Sequence, residues 1–408
     1  MNFDTWVERC AAVLRGNQIE SRGHRYTRPA PHVYEYQWLW DSCFHAITYR
    51  WFDIGMAKAE LLSLAAGQVT EGPDAGMIPH MLYWQGDGAA LWGRPYSSII
   101  TQPPLIGVAA RLIYERDADR AFLEALYPAL AAYHEWFDRR RDPDGDDLVC
   151  LIHPWESGWD ASPRWDAPMK LNSPTDEQSK AARHALVKDL IAHDCDPVAL
   201  AAAGFFHVES VEFNAVRAAD LEALAFIAAE IGASGARWEA RARQVQAACQ
   251  KFITPTGIYD LSGPDETPLK TPSAAPFILL FGGCADAAQA AELVSQLTGP
   301  SFWTPYPVPT TPCDDPAFGP GHYWRGNVWP SVNWPIYRGL RRYGYAAEAA
   351  HLAQRSGELV AASGFYEYFN PLTGEGCGAD QQSWATIVLD MVATENASST
   401  TPRLKPGA

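Results

Sequence analysis

Apolar residues recur at intervals of three and four along most of this chain, which is the spacing of one face of a helix. The clearest example lies between Asp119 and Phe137, where one face carries Phe122, Leu123, Leu126, Leu130, Tyr133 and Phe137. Pro128 lies inside this segment and predicts a kink or a later helix start, because proline lacks the amide hydrogen.

The same spacing predicts a helix over Glu212–Ile231, with Gly232 as its C-cap. Clear patterns also predict helices over Trp238–Phe252, Asp286–Leu297 and Ala346–Val360. Weaker patterns predict further helices over Phe3–Leu14, Asp41–Phe52, Met56–Leu64, Pro104–Tyr114, Gln178–Ile191, Val328–Tyr343 and Gln381–Val392.

Long connections rich in Pro, Gly and Trp separate these helices, and few segments alternate as strands do. The connections are Arg22–Gln37, Gln68–Tyr96, Pro154–Ser173, Thr298–Gly326 and Gly364–Ala379. The pattern disfavours a Rossmann or TIM arrangement. It predicts an all-α barrel of helical hairpins whose long loops gather at one end, where chemistry usually lies. Composition does not change along the chain, so residues 1–408 are predicted to form one domain.

Composition adds an excess of aromatic residues to this picture. The 408 residues are 47% hydrophobic and 20% charged, with 16 Trp, 17 Tyr and 16 Phe. Tryptophan at this density either fills a large core or lines a sugar-binding cleft, where flat rings cover the C–H faces of pyranoses. Composition alone leaves both interpretations open.

Charge and cysteine usage exclude several classes of partner. The net charge is −16 and Lys and Arg form no long run, which disfavours nucleic acid and anionic membranes as partners. The eight cysteines are spread singly, which argues against a zinc cage and indicates free thiols in a reducing compartment. The N-terminal segment lacks the pattern of a signal peptide, and no apolar stretch approaches the ~20 residues of a membrane span. We therefore expect a cytoplasmic protein.

The long loops concentrate tryptophan beside carboxylates. They contain YEYQWLWDSCFH (34–45), SSIITQPP (97–104), HPWESGWDASPRWD (153–166), YWRGNVWPSVNW (323–334) and GFYEYFNPLTGEGCG (364–378). Apolar surroundings raise the pKa of a carboxyl group. Glycoside hydrolysis needs one neutral carboxylic acid to protonate the leaving oxygen and one carboxylate to activate water or attack carbon.

These five segments, in this order, resemble the bacterial branch of glycoside hydrolase family 63. The resemblance runs from about Tyr34 to Trp384 and is strongest to the short members, the mannosylglycerate and glucosylglycerate hydrolases; trehalases are more distant relatives. It is specific, because ESGWD, YWRGxVW and EY(F/Y)NPxTGEG are long aromatic-rich strings that rarely occur together. It implies an (α/α)₆ barrel, in agreement with the helix count, and hydrolysis of a small compatible-solute α-glucoside or α-mannoside without a cofactor.

The resemblance also implies the catalytic pair. The general acid of the family corresponds to Asp160 in SGWD and the general base to Glu367 in YEYFNP. The chemistry is inverting, so these carboxyls should face each other at about 6.5–9.5 Å with water on the base side. Glu375 in the same loop is a competing base, and a capping or turn role is the alternative for Asp160.

The resemblance places further residues around the sugar. Trp40 and Asp41 correspond to residues of the −1 subsite, and Gln102 to another hydroxyl ligand. Tyr323, Trp324 and Trp329 correspond to an aromatic wall and Tyr34 to a loop residue that closes the pocket, while Trp159 adjoins the acid. For each aromatic residue, core packing is the alternative. Glu156 and Asp166 are expected to bind hydroxyls or fix loop geometry, and Arg325 to pair with a buried acid.

Two weaker signals concern metals. DPDGDD (142–147) resembles part of a calcium loop but lacks the bidentate Glu at loop position 12, so a turn after a helix is preferred. His153 has no second His at a ligand spacing, so we expect it to form hydrogen bonds rather than to bind metal. No metal site is predicted.

The identity of the aglycone stays open at this point. Family members bind the glycerate carboxylate through Arg and Tyr after the acid, whereas residues 167–183 offer Lys170, Lys180 and Arg183 but no Tyr. A trehalase-like or oligosaccharide α-glucosidase is one alternative. A sugar isomerase on the same barrel needs catalytic His residues in matching strings, which this chain lacks, and a non-catalytic sugar-binding protein would have lost the acids. The expected partner is a small glycoside; a homo-oligomer is compatible with the sequence.

Overall fold

The computed structural model describes residues 1–400, with side chains to residue 397, and most of them are helical. Its α-helices are α1 Phe3–Gly16, α2 Leu39–Tyr49, α3 Ile54–Ala66, α4 Ala89–Trp92, α5 Ile106–Asp117, α6 Arg120–Arg140, α7 Asp176–Ala192, α8 Pro197–Ala202, α9 Val211–Glu230, α10 Ala236–Ala248, α11 Leu279–Gly282, α12 Ala287–Leu297, α13 Pro330–Arg342, α14 Ala346–Ser363 and α15 Val388–Thr400. Short 3₁₀ helices span Pro154–Ser157, Pro163–Trp165, Cys249–Phe252, Ala275–Ile278 and Ser383–Ile387.

The predicted helices are confirmed with ends that shift by a few residues, except that Gln381–Val392 forms the 3₁₀ helix Ser383–Ile387 followed by α15, which begins at Val388. Asp119 and Asp286 act as N-caps, since their carboxylates accept the backbone N–H of Phe122 and Gln289. Helix α6 runs through Pro128, so the later start is wrong. The short helices α4, α8 and α11 were not predicted, because four to six residues carry too little periodicity.

Helix α9 ends as its sequence predicts. Gly232 has φ +76°, and the next backbone N–H, of Ala233, donates to the Ala228 carbonyl at 2.8 Å. The Gly232 N–H donates to Ala229, which completes a Schellman motif. A glycine supplies the left-handed conformation that this cap requires.

Six elements contact one another in a closed circuit. Helix α2 contacts α5, α5 contacts α9, α9 contacts α11 and α11 contacts α13; α13 contacts the Ser383–Ile387 turn, which returns to α2. Every residue of α2 and most residues of α9 are buried. A second layer packs outside: α3 on α2, α6 on α5, α10 on α9, α12 on the Ala275–Ile278 turn, α14 on α13 and α1 on the Ser383–Ile387 turn.

Short antiparallel strands lie in the connections between the helices. They are β1 Gln18–Ser21, β2 His24–Thr27, β3 Gln37–Trp38, β4 Met81–Leu82, β5 Cys150–Leu151, β6 Val208–Glu209, β7 Ile253–Thr254, β8 Gly257–Ile258, β9 Leu261–Ser262, β10 Thr267–Pro268, β11 Tyr368–Phe369 and β12 Gly376–Cys377. Strands β10, β9, β6 and β5 form a four-stranded sheet in that order. The sequence pattern missed this sheet because two residues show no alternation. None of the described helices has both the length and the hydropathy of a membrane-crossing segment.

Candidate active site

A cavity of about 350 Å³, a volume that includes its solvent-filled mouth, lies where the inner helices begin. Trp40 and Asp41 stand in the first turn of α2, Gln102 precedes α5, and Tyr323 and Trp324 precede α13. The cavity is lined by Pro29, Tyr34, Trp38, Trp40, Asp41, Gln102, Gly158, Asp160, Tyr323, Trp324, Glu367, Gln382 and Trp384. Segments far apart in the chain therefore meet in one place.

Asp160 lies at the end of a loop that a buried ion pair holds in place. Within this loop the buried Glu156 forms a two-point ion pair with Arg141 and accepts the N–H of Thr101, one residue before Gln102. Glu156 thus fixes loop geometry and joins the loop to the neighbouring one. Gly158 has φ +74°, and a Cβ there would lie 2.6 Å from the Trp40 ring, so only glycine lets the loop lie against that ring.

The surroundings of Asp160 favour its neutral form. Burial raises the pKa of Asp160 to about 7; Glu367 adds to the rise, while the charge of Arg183 and the Tyr323 hydroxyl lower it. Arg183 is buried, and its Nη1 donates to the Asp160 carbonyl oxygen at 3.1 Å and to Ser179 Oγ at 2.7 Å. A carboxyl with a pKa near neutrality can donate a proton.

Glu367 lies opposite, beside the β11–β12 hairpin, and receives donors on both oxygens. Tyr34 Oη donates to Oε1 at 2.8 Å and the Ala379 N–H to Oε2 at 3.0 Å, while Trp384 Nε1 donates to the Glu367 carbonyl at 3.0 Å. Burial raises the pKa of Glu367, and the bonds from Ala379, Tyr34 and Tyr323 oppose the rise. Glu375 is exposed on the hairpin turn and is not among the residues that line the cavity.

Tyr323 lines the cavity together with the two acids. Its hydroxyl lowers the pKa of both Asp160 and Glu367. Asn327 holds this loop, because its Nδ2 donates to the Tyr323 carbonyl at 2.8 Å. Asp41 is a third buried carboxyl of the cavity, and burial together with the charges of Glu367 and Asp160 raises its pKa well above the usual value.

The tryptophans predicted around the sugar divide into two groups. Trp40 and Trp324 line the cavity, whereas Trp159 and Trp329 do not. Trp329 stacks on Trp324 with centroids 3.5 Å apart, and Trp159 stacks beside Trp324 at 5.7 Å. Trp159 and Trp329 therefore support Trp324 by packing, the alternative that the sequence left open.

Several lining residues were not singled out from the sequence: Pro29, Trp38, Gly158, Gln382 and Trp384. Trp38 lies two residues before Trp40, and Gly158 lies inside SGWD, so both were within the quoted strings. Gln382 and Trp384 fall inside the predicted helix Gln381–Val392, and helical periodicity did not mark them as cavity residues.

Other predicted residues serve local structure. Arg325 Nη2 pairs with Asp166 Oδ1 at 2.6 Å, and Asp166 is half-buried. His153 Nε2 is 3.0 Å from the Arg183 carbonyl and Nδ1 accepts the Trp155 N–H, which confirms the hydrogen-bonding role. DPDGDD forms a turn after α6, in which Asp142 accepts the N–H groups of Asp146 and Asp147.

The cavity opens into a larger vestibule of about 1320 Å³, a volume that includes its solvent-filled mouth. Tyr34, Trp38, Asp160 and Tyr323 border both spaces. Helix α7 contributes Lys180, Arg183 and His184 to the vestibule wall, with Asp176 as the acid on the same helix. Lys170 is not among the lining residues.

Comparison with known proteins identifies the family of this chain. The model of the mannosylglycerate hydrolase MGH1-like glycoside hydrolase domain matches residues 34–385. The chain is 35% identical to mannosylglycerate hydrolase of Thermus thermophilus, over 91% of this chain and 97% of that protein. It is 31% identical to glucosylglycerate hydrolase of Mycolicibacterium hassiacum, over 94% of this chain and 96% of that protein.

A solved structure gives the same result. The crystal structure of the family 63 mannosylglycerate hydrolase of Thermus thermophilus, in complex with Tris and D-glycerate, matches with a TM-score of 0.86 and 31% identity. The match covers 95% of this chain and 100% of that one. The resemblance found in the sequence is thereby confirmed. The chain belongs to the MGH1-like glycoside hydrolases and is a glycoside hydrolase.

Proposed function

We propose that this protein is an inverting α-glycosidase in which Asp160 is the general acid and Glu367 the general base. The observation that carries the proposal is one cavity lined by two carboxyls from distant loops, each with a pKa raised by burial. Their environments differ as the two roles require. Burial leaves Asp160 with a pKa of about 7, whereas Glu367 accepts donors on both oxygens, which favour its ionised form.

In the proposed reaction, Asp160 transfers its proton to the glycosidic oxygen as the bond between that oxygen and the anomeric carbon breaks. Glu367 removes a proton from a water molecule, whose oxygen attacks the opposite face of the anomeric carbon. The products are the free hexose with inverted configuration and the aglycone alcohol, which keeps the proton from Asp160. Tyr34 and the Ala379 N–H hold the Glu367 carboxylate in place for this step.

The remaining lining residues suit the −1 subsite. Asp41 and Gln102 present oxygen and nitrogen atoms to sugar hydroxyls, and the indoles of Trp40 and Trp384 offer apolar surface to C–H faces. The Trp40 N–H donates to Gln102 Oε1 at 3.3 Å, which orients the amide. Trp159 and Trp329 are proposed to act through Trp324, without touching the sugar.

The vestibule favours an acidic aglycone. Arg183, Lys180 and His184 face the space beside Asp160, which is where the leaving group must lie. This supports a glucosylglycerate- or mannosylglycerate-like substrate over a neutral trehalose-like disaccharide, in line with the names of the relatives. Arg183 is the residue best placed to meet a carboxylate, because its guanidinium already lies at the border with the acid.

We further propose that the closed circuit of six elements and its outer layer form a single (α/α)₆ barrel, with the site at the end where the inner helices begin. All eight cysteines are free thiols in the structure, which supports a reducing compartment such as the cytoplasm.

The test is hydrolysis of α-glucosides and α-mannosides of glycerate, glycerol and glucose, followed by proton NMR of the released hexose. We expect the β-anomer to appear first, and the glycerate glycosides to react faster than the glycerol glycosides. First appearance of the α-anomer would refute inversion. Equal rates with glycerate and glycerol would refute the acidic aglycone while leaving the acid and base roles intact.

A further inference from the structure

A cluster of acids lies on the turn after α6, outside the catalytic cavity. Asp142, Asp144 and Asp146 come from DPDGDD and alternate along the chain. Each offers one carboxylate oxygen, and these atoms all lie within 4.8 Å of one another. Two ligands of an ion at the usual calcium–oxygen distance of about 2.4 Å are at most about 4.8 Å apart, so this spacing fits a calcium ion.

The fold brings two further acids to the same place. Asp146, Glu209 and Glu266 form a second group whose oxygens also lie within 4.8 Å of one another. Glu209 is on β6 and Glu266 is in the turn between β9 and β10, so neither lies near DPDGDD in sequence. The loop lacks an acid at its twelfth position, and these two residues supply carboxylates from elsewhere.

Glu209 provides separate evidence that this cluster of acids binds a cation. Its side chain is 4% exposed, and its Oε2 has no hydrogen-bond partner among the described residues. A buried carboxylate without a partner is costly.

Lys251 is the nearest counter-charge, with Nζ 2.5 Å from Asp146 Oδ2 and 2.8 Å from Glu266 Oε1. Its side chain is 39% exposed and can turn into solvent. The other cation, Arg241, bonds to Asp138, Asp142 and Asp147 on the far side of the turn. Neither cation makes a hydrogen bond or ion pair with Glu209 in the structure.

We propose that Asp144, Asp146, Glu209 and Glu266 form a structural calcium site, with Asp142 closing the loop, and that calcium displaces the Lys251 ammonium. All donors are carboxylate oxygens, which suits a hard divalent cation, and their number and irregular arrangement suit calcium better than magnesium. The ion would tie the turn after α6 to β6 and to the β9–β10 turn. These elements build the four-stranded sheet whose strand β5 leads into the Asp160 loop.

The test uses the full chain after removal of metal by a chelator, with CaCl₂ as the probe. Calorimetric titration should show one calcium ion per chain. Calcium at about 100-fold above Kd should raise Tm by about 3–5 °C, with no change in kcat at 25 °C. MgCl₂ should give a smaller shift. Absence of both binding heat and a Tm shift with calcium would overturn the proposal.

Variants identify the site. Glu209→Gln and Asp146→Asn should abolish the calcium-dependent shift, and Glu266→Gln, on an exposed turn, should weaken binding at least tenfold even if the first two fold poorly. Asp265→Asn removes an equal charge from the same turn outside both groups and should leave the shift intact. A shift that persists in Glu266→Gln as in Asp265→Asn would mean adventitious surface binding and refute the assignment.

Lys251→Met tests whether calcium displaces the lysine ammonium or the lysine is the permanent counter-ion of these acids. If calcium displaces the ammonium, this variant melts lower than wild type in chelator, and calcium restores its Tm to that of the calcium-bound wild type. If the lysine is instead the permanent counter-ion, calcium does not restore the lost stability, and the proposal fails.

Discussion

The inner cavity and the vestibule share a border, yet they are built in opposite ways. In the cavity, Asp41 and Glu367 are buried and Asp160 is half-buried, and Trp and Tyr side chains surround them. In the vestibule, Lys180 and His184 are exposed on one helix, and Arg183 is the buried cation among them. Burial tunes proton affinity, which bond cleavage needs, whereas cations in an open vestibule allow an anionic group to enter and leave. We therefore expect changes in the cavity to abolish turnover and changes in the vestibule to alter selectivity.

The largest expected effect comes from removing the acid or the base. Asp160→Asn and Glu367→Gln should each lower kcat about 10²–10⁴-fold, because each removes one proton transfer. Steady-state hydrolysis of the preferred glycerate glycoside measures this loss. Glu375→Gln is the matched control from the Glu367 hairpin and should retain nearly full kcat, since Glu375 is exposed. A loss in Glu375→Gln equal to that in Glu367→Gln would reverse the assignment of the base.

The next effect tests the vestibule. Arg183→Met should lower kcat/KM for glycerate glycosides by about 10–100-fold, through loss of a charge-assisted hydrogen bond to a carboxylate. The loss for glycerol glycosides should be smaller, because those substrates lose only the support that Arg183 gives to the Asp160 carbonyl. The ratio of the two kcat/KM values is the measurement.

Lys188→Met, on the same helix but outside the vestibule lining, is the control and should leave that ratio unchanged. An equal loss on charged and neutral substrates in Arg183→Met would make Arg183 a positioning residue alone. The cavity and the vestibule would then no longer divide catalysis from selectivity.

The sequence predicted the residues of the cavity better than those of the vestibule. Trp40, Asp41, Asp160 and Glu367 lie in strings where acids adjoin aromatic residues, a pattern that ordinary surface loops rarely show. The helical frame was predictable because its apolar stripes are long. Arg183 and Lys180 lie instead on an amphipathic helix whose pattern is that of any surface helix, so nothing local marks them as facing Asp160. That contact depends on how α7 packs.

Trp159 and Trp329 show a second limit of sequence patterns. Both lie in the marked strings, yet both pack behind Trp324 and do not line the cavity. A string identifies a loop that approaches the site, but the direction of each side chain depends on the tertiary fold. The four-stranded sheet was missed for a related reason, since pairs of residues such as Val208 and Glu209 form strands only because partner strands from distant segments lie beside them.

A smaller effect concerns pH. Asp160 acts when protonated and its pKa is about 7, so kcat/KM should fall as pH rises above about 7. Glu367 acts when ionised and burial raises its pKa, so activity should also fall at acidic pH. Arg183 lowers the pKa of Asp160, so Arg183→Met should move the alkaline limb to higher pH. A pH–rate profile with a glycerol glycoside checks this; an unmoved alkaline limb would mean that Asp160 does not control it.

The smallest expected effect is on stability, and it distinguishes the acid of the cavity from the exposed vestibule. The pKa of Asp160 is raised in the folded protein from 3.8 to about 7, so its ionisation opposes folding. The loss in the free energy of unfolding is absent below about pH 4, grows as pH rises, and is complete above about pH 7, where it reaches about 4 kcal/mol at most.

Asp160→Asn imitates the neutral acid and should therefore raise Tm at pH 8 by up to about 5 °C, with little change at pH 4. Thermal melts of both proteins across this range measure the difference, with the exposed Asp380→Asn as a control that should show no such trend. A difference in Tm that does not grow with pH would mean that Asp160 is solvated in the folded protein, and the contrast between the cavity and the vestibule would lose its electrostatic basis.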